Sequence, residues 1–164
     1  MTRIGLLSDT HSYVHPRCYE FFKDVDEIWH AGDIGDHATA DEFSRMKPFK
    51  AVYGNIDGYD LRSLYPENLV FYCEKVKVMM THIGGYPGRY ARNIPQLLTK
   101  EAPGLFITGH SHILKIMFDK KHNLLFVNPG AAGKYGFHQS ITMVRFVIDG
   151  AQVKEMEILD IPRN

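Results

Sequence analysis

Three short apolar runs in the first third of the chain constrain its fold most strongly. The first and third cover residues 4–7 and 49–53, and the second centres on Ile28-Trp29, which follow the acids Asp26 and Glu27. Amphipathic helical patterns cover residues 15–25 and 38–46 between them. Short apolar segments that alternate with helices are typical of parallel strands in an α/β arrangement. The sequence therefore predicts a sheet in which these three strands run in the same direction.

Each of the three runs leads into polar side chains that can bind a metal ion. Asp9 and His11 follow the first run, Asp33 follows the second, and Asn55 follows the third. Ligand sites in open α/β sheets lie beyond the carboxyl ends of the strands, so we expect these four side chains to share one crevice. Other roles stay open: Asp9 suits a helix cap, and Asp33 and Asn55 suit tight turns.

The segment Gly109-His110-Ser111-His112 lies between apolar runs at residues 105–108 and 113–118. Extended residues i and i+2 point to the same side, so we predict that both imidazoles converge on one spot. Histidine is the commonest metal ligand in proteins. His82, which ends a predicted strand at residues 76–81, offers a third imidazole. The alternative for His110 and His112 is a polar turn with solvated rings.

The second half of the chain is rich in predicted hairpins. They join residues 69–73 to 76–81, residues 113–118 to 124–127, and residues 141–148 to 153–158 across Asp149-Gly150. These hairpins predict a second, largely antiparallel sheet packed on the first. We expect one domain over residues 1–164 and a frayed Pro162-Arg163-Asn164 tail.

Composition narrows the classes of function and location. Lys plus Arg and Asp plus Glu both number 19, so a long basic face for nucleic acid is not expected. Cys18 and Cys73 match neither a disulfide framework nor a zinc pair. No secretory or membrane-spanning segment is recognised, which predicts a soluble, cytoplasmic protein without a membrane partner.

The candidate ligands are too numerous for a single ion. Two cations that share one carboxylate, roughly 3.5–4 Å apart as in other two-metal hydrolytic sites, need about this number. Their oxygen and imidazole donors suit Mn, Fe, Zn, Co or Ni. The set comprises Asp9, His11, Asp33, Asn55, His82, His110 and His112.

In order and spacing, these residues resemble the calcineurin-like metallophosphoesterase superfamily, whose blocks are Asp-x-His, Gly-Asp, Gly-Asn, a lone His and Gly-His-x-His. The chain length and the Asn128-Pro129-Gly130 turn resemble its small single-domain phosphodiesterase branch. The resemblance implies an α/β fold, a four-layer αββα sandwich of two mixed β-sheets flanked by helices. It also implies that Asp33 bridges two metals, one held by Asp9, His11 and His112 and the other by Asn55, His82 and His110.

The activity implied by this resemblance is binuclear, metal-dependent hydrolysis of phosphodiesters by a metal-bridging hydroxide. Asp33 and Asn55 are the expected catalytic residues. The expected cofactors are two divalent ions, with Mn as first choice. The expected substrates are small phosphoesters, which include nucleotide-like compounds. Ile56 stands where the family often has a histidine. Leaving groups of low pKa should therefore be favoured, with Asp57 supporting the ligands from outside.

Two other functions stay open. The first is a non-catalytic scaffold, because the retromer subunit of eukaryotic endosomal sorting has the implied fold and serves in that way. That subunit departs from the family's ligand set, whereas this chain has a candidate ligand at every position. A sensor that binds a nucleotide without cleaving it is the second alternative. Strand edges exposed in a two-sheet protein also allow a homo-oligomer.

Overall fold

The computed structural model describes residues 1–163, which form twelve strands and four helices. The strands are β1 Thr2–Leu7, β2 Glu27–His30, β3 Phe49–Ala51, β4 Asn68–Cys73, β5 Val76–Thr81, β6 Gly85–Tyr86, β7 Arg89–Tyr90, β8 Leu105–Ile107, β9 Leu114–Asp119, β10 Leu124–Pro129, β11 Ser140–Asp149 and β12 Gln152–Pro162. The helices are α1 Arg17–Phe21, α2 His37–Met46, α3 Tyr59–Leu64 and α4 Ile94–Glu101. None of these helices is long and apolar enough to span a membrane.

Ten of the strands build two mixed five-stranded sheets. The first has the order β12-β11-β1-β2-β3, and the second has the order β4-β5-β8-β10-β9. As predicted, β1, β2 and β3 are parallel. The prediction for the second sheet was partly wrong, because β5, β8 and β10 are parallel to one another and the β11–β12 hairpin joins the first sheet.

The two sheets face each other across an apolar core. Ile4 and Leu6 of β1 lie in this core, as do Val78 and Met80 of β5. Alternate residues of a strand point to opposite faces, so each sheet also presents an apolar outer face.

The helices cover those outer faces. Phe22 beside α1 and Phe43 of α2 pack with Ile28 of β2, and Leu98 of α4 packs with Phe106 of β8. This arrangement confirms the predicted α/β class with two mixed sheets flanked by helices.

Some element boundaries differ from the prediction. Helix α1 is much shorter than residues 15–25, because Pro16 disfavours a helical residue before it and the chain turns to exchange hydrogen bonds between Asp26 and Arg3. The prediction of a frayed tail is wrong for Pro162 and Arg163, which are ordered by pairing with β11 and the residue before it. Pro162 pairs with Ser140, and the Arg163 N–H donates to the Gln139 carbonyl at 3.2 Å. Asn164 lies outside the described residues.

Asp36 caps the N-terminus of α2. Its Oδ1 accepts hydrogen bonds from the Thr39 N–H at 2.8 Å and the Thr39 hydroxyl at 2.6 Å. These bonds hold the pKa of Asp36 below its usual range. Asp36→Ala should therefore lower the free energy of unfolding by about 1 kcal/mol at pH 7, measured by urea denaturation.

The same substitution has a predictable pH dependence. Because the pKa of Asp36 is lower in the folded state, the cap is fully effective above the unfolded pKa of about 4 and is lost as pH falls through the folded pKa. The stability difference between wild type and Asp36→Ala should shrink over that acidic range. Asp41→Ala, on the exposed face of α2, is the control and should cost less than about 0.5 kcal/mol. A difference that persists at pH 2 would contradict the assigned cap.

Candidate metal centre

The seven candidate ligands lie beyond the carboxyl ends of five strands drawn from both sheets. In the described residues, two groups bring donor atoms within 4.8 Å of one another. One group is Asp9, His11 and His112, and the other is Asp33, His82 and His110. Asn55 joins the second group, since its Oδ1 is 3.1 Å from His110 Nδ1. The fold therefore brings together all seven side chains that the sequence singled out.

Asp33 lies between the two groups. Its Oδ2 is 3.5 Å from His11 Nε2 and 3.2 Å from His82 Nε2. Its Oδ1 accepts a hydrogen bond from the Ile56 N–H at 3.0 Å. One oxygen is thus fixed by the backbone while the other faces an imidazole of each group.

Asp9 divides its two oxygens in the same way. Oδ2 accepts hydrogen bonds from the Ser8 hydroxyl at 2.7 Å and the His110 N–H at 3.0 Å. Oδ1 lies 3.2 Å from His112 Nε2 and 3.9 Å from His11 Nε2. Asp9 therefore presents one free oxygen to the imidazoles of its own group.

His82 has a tautomer that is fixed by the backbone. Its Nδ1 is 2.8 Å from the Ala31 carbonyl oxygen, which can only accept a hydrogen bond, so Nδ1 carries the proton. The lone pair of the neutral ring is consequently on Nε2, the atom that faces Asp33.

The unpaired polar atoms of the protein test whether these residues fit metal ions. Four buried side-chain atoms in residues 1–163 have no hydrogen-bond partner, and three of them are Asp9 Oδ1, His11 Nε2 and His82 Nε2. An unsatisfied buried polar atom costs about 1–3 kcal/mol, so three at one place need a common explanation. Carboxylate, amide and imidazole donors fit divalent first-row cations, and one cation at each group would together satisfy all three atoms.

Burial and charge perturb the acids and the imidazole at the centre. Burial favours the neutral form of Asp9, but the neighbouring imidazoles of His112 and His82 hold the pKa of Asp9 below its usual range. Burial also favours the neutral form of Asp33. The contact between Asp33 and His82 outweighs this effect of burial, so the pKa of Asp33 is lowered as well. Burial alone would lower the pKa of His82, yet the two carboxylates raise it. The acids are therefore held as carboxylates, the form that binds cations.

The backbone at the centre is left-handed. Asp9, His11, Asp33, His110 and His112 all have positive φ, between 46° and 71°. Such conformations cost on the order of 1–3 kcal/mol each and cluster at functional sites. The expectation that His110 and His112 are extended and converge on one spot is wrong, because their left-handed turns direct them to different groups.

Two neighbours of Asn55, Gly54 and Asp57, hold the loop after β2 against the loop after β3. The buried Asp57 carboxylate accepts hydrogen bonds from the N–H groups of Ile34 at 3.1 Å, Gly35 at 2.9 Å and Gly54 at 2.8 Å. Gly54 packs so closely against Asp33 that a Cβ at this position would overlap Asp33 Oδ1. The loops after β2 and β3 are therefore joined by one carboxylate, as expected of a residue that supports the ligands.

Buried His30 adds support from beneath the centre. Its Nδ1 accepts a hydrogen bond from the Gly32 N–H at 3.1 Å, and its Nε2 is 2.9 Å from the Thr10 hydroxyl. Burial lowers the pKa of His30 to about 3, so the ring stays neutral. The turns that carry His11 and Asp33 are thereby tied to the same strand.

The sequence analysis missed two side chains on the loop between β10 and β11. His138 Nδ1 lies 3.2 Å from His112 Nδ1, and the exposed Tyr135 ring is 5.1 Å from the His11 ring. Neither residue belongs to a metal-binding motif, and His138 is 26 positions beyond His112. Only the return of the chain into β11 brings this loop to the centre.

Comparison with known proteins tests the resemblance drawn from the motifs. The profile of the calcineurin-like phosphoesterase superfamily domain matches residues 2–151. The chain belongs to this superfamily. The match extends from β1 to the turn before β12, so it includes all five segments that carry the candidate ligands.

Relatives of this calcineurin-like phosphoesterase include a probable metallophosphoesterase from Methanocaldococcus jannaschii. The two are 31% identical over 134 residues, which cover 78% of this chain and 67% of the relative. Among solved structures, one described as a novel archaeal phosphodiesterase has a TM-score of 0.74 and 22% identity, with coverage of 96% of this chain and 99% of the other. Vps29 from Entamoeba histolytica, complexed with Zn²⁺, also has a TM-score of 0.74, with 16% identity and coverage of 99% of each chain. At these identities the two structures show a shared fold.

Proposed function

We propose that this calcineurin-like phosphoesterase is a binuclear metal-dependent phosphodiesterase. The observation that carries the proposal is the position of Asp33 Oδ2, within 3.5 Å of an imidazole nitrogen from each group. A carboxylate placed between two sets of nitrogen and oxygen donors is suited to bridge two cations. The unpaired Asp9 Oδ1, His11 Nε2 and His82 Nε2 support the same assignment.

In this proposal, each residue has a defined task. Asp9, His11 and His112 hold one divalent ion, and Asn55, His82 and His110 hold the other, with Asp33 shared. When bound, such ions lower the pKa of a coordinated water to about 7 and neutralise charge on phosphoryl oxygens. Mn²⁺ is the first choice, with Fe, Zn, Co and Ni as alternatives for the same donors. Asn55 is exposed, so its amide is also accessible to a substrate phosphoryl oxygen.

The residue after Asn55 limits the leaving group. Ile56 uses its backbone N–H to orient Asp33, and its side chain is 46% exposed. An isoleucine side chain has no proton to give to a departing alkoxide. Diesters whose leaving groups have a low pKa should therefore be hydrolysed fastest.

The test is metal-dependent turnover of a model diester. Protein stripped with a chelator should be inactive, and Mn²⁺ should restore hydrolysis of bis(p-nitrophenyl) phosphate, with slower hydrolysis of p-nitrophenyl phosphate. Metal analysis should give two ions per chain. Failure of every divalent metal tried to support hydrolysis of either ester would overturn the proposal.

A non-catalytic scaffold is the second candidate, favoured by the likeness in fold to Vps29. The complete set of candidate ligands argues for the enzyme. A protein that binds neither metal nor diester would support the scaffold. A protein that binds a nucleotide tightly and releases it intact would support a sensor. The cytoplasmic location and a homo-oligomer stay predictions.

A further inference from the structure

We propose that His138 is a positioning residue, which accepts a hydrogen bond from His112 Nδ1 and thereby presents His112 Nε2 to the ion of the Asp9 group. This inference rests on the proposed metal centre. It assigns a task to a side chain that lies outside the seven candidate ligands.

The hydrogen bonds of His138 determine which nitrogen carries its proton. Nε2 lies 2.7 Å from the Gly133 carbonyl oxygen, and a carbonyl can only accept, so Nε2 is the donor. The lone pair of the neutral His138 ring is then on Nδ1, which faces His112 Nδ1 at 3.2 Å. Two ring nitrogens at this distance share one proton, and His112 must supply it.

The consequence for His112 follows directly. With its proton on Nδ1, the neutral ring has its lone pair on Nε2, the atom that is 3.2 Å from Asp9 Oδ1. The chain of contacts from Gly133 through His138 to His112 thus fixes both the orientation and the tautomer of a candidate ligand. His82 obtains the same control from the Ala31 carbonyl, whereas His112 depends on a side chain.

The loop that carries His138 is held on three sides. The Gly133 N–H donates to the Asp9 carbonyl at 3.1 Å, and the Arg163 guanidinium donates to the Gly136 carbonyl. Gly136 has a φ of 130° and packs against His112 so closely that a Cβ would overlap the imidazole. His138 is therefore placed against His112 by backbone contacts on both sides of it.

Two amide substitutions separate the two hydrogen bonds of His138. In His138→Asn, the side-chain oxygen can take the place of Nδ1 and accept from His112. In His138→Gln, the longer amide can donate to Gly133 but offers no acceptor at the Nδ1 position. Removing the partner of a metal-ligating histidine typically weakens metal binding about 10–100-fold.

The experiment titrates metal-free protein with Co²⁺, followed by calorimetry and by visible absorption. The wild type should bind two ions. His138→Gln should bind one of them about 10–100-fold more weakly and the other as the wild type does. His138→Asn should retain most of the wild-type affinity at both sites. Comparing two sites in the same sample corrects for any general loss of folded protein.

His122→Ala is the matched control. His122 is a partly buried histidine with a hydrogen bond to Asp119, in the turn between β9 and β10, and neither residue belongs to the metal centre. It should leave both Co²⁺ affinities unchanged. Long-range ¹H–¹⁵N spectra of the wild type give a measurement without substitution, and they should show His138 protonated at Nε2 and His112 at Nδ1.

The outcomes distinguish this inference from the proposed function. Wild-type affinities in His138→Gln would overturn the role of His138 while leaving the binuclear centre intact. Weak binding in His138→Asn together with normal binding in His138→Gln would show that only the Gly133 contact matters, which also overturns it. Fewer than two ions in the wild type would overturn both proposals.

Discussion

Asp33→Asn should reduce diester hydrolysis more than about a hundredfold, beyond the roughly 10–100-fold loss typical of residues that only support a ligand. The physical reason is that Asp33 Oδ2 faces an imidazole of each group, so the substitution removes a negative charge that both ions would share. The measurement is kcat with bis(p-nitrophenyl) phosphate at saturating Mn²⁺. Metal content should fall below two ions per chain.

Asp60→Asn is the control for this substitution. Asp60 is an exposed acid in the first turn of α3, so the same change from acid to amide is made close by but outside the centre. Its kcat should equal that of the wild type. A wild-type rate in Asp33→Asn with added Mn²⁺ would contradict the bridging role.

Asp57→Ala should lower the free energy of unfolding by about 3–5 kcal/mol, because three backbone N–H groups lose a charged acceptor in a site where water has little access. Asp57 is only 2% exposed. The measurement is urea denaturation with a chelator present, so that metal binding does not contribute to the folded state. Asp57→Asn keeps one acceptor oxygen and should lose less.

Asp60→Ala serves as the control here as well, and it should change the free energy of unfolding by no more than about 0.5 kcal/mol. A loss of less than about 1 kcal/mol in Asp57→Ala would mean that other groups satisfy the loops after β2 and β3. In that case Asp57 would not be the residue that joins them.

The sequence predicted the meeting of the candidate ligands because the rule behind it is topological. Parallel strands place their carboxyl ends on one edge of a sheet, so polar residues after β1, β2 and β3 must come close. His82 and His110 follow β5 and β8, which are also parallel, and the second sheet faces the first. The motifs could be placed without knowing any side-chain contact.

Other features depend on contacts that the local sequence does not record. His110 and His112 were expected in extended conformations, but their φ angles of 71° and 63° arise from the turn that leaves β8. The partners of the β11–β12 hairpin could not be read from its turn, because Asp149-Gly150 specifies a hairpin and not the sheet it joins. His138 lacks any motif, and its contact with His112 exists only after the chain has returned to the centre.

The order of the candidate ligands along the chain has a consequence for biosynthesis. Each group combines residues from the first sheet with a histidine at position 110 or 112, and β1 gains its neighbour β11 later still. A nascent chain has therefore left the ribosome for most of its length before either group can be complete. If the proposed metal centre is correct, ion capture follows the docking of the two sheets, and newly made protein needs the metal only after its architecture is in place.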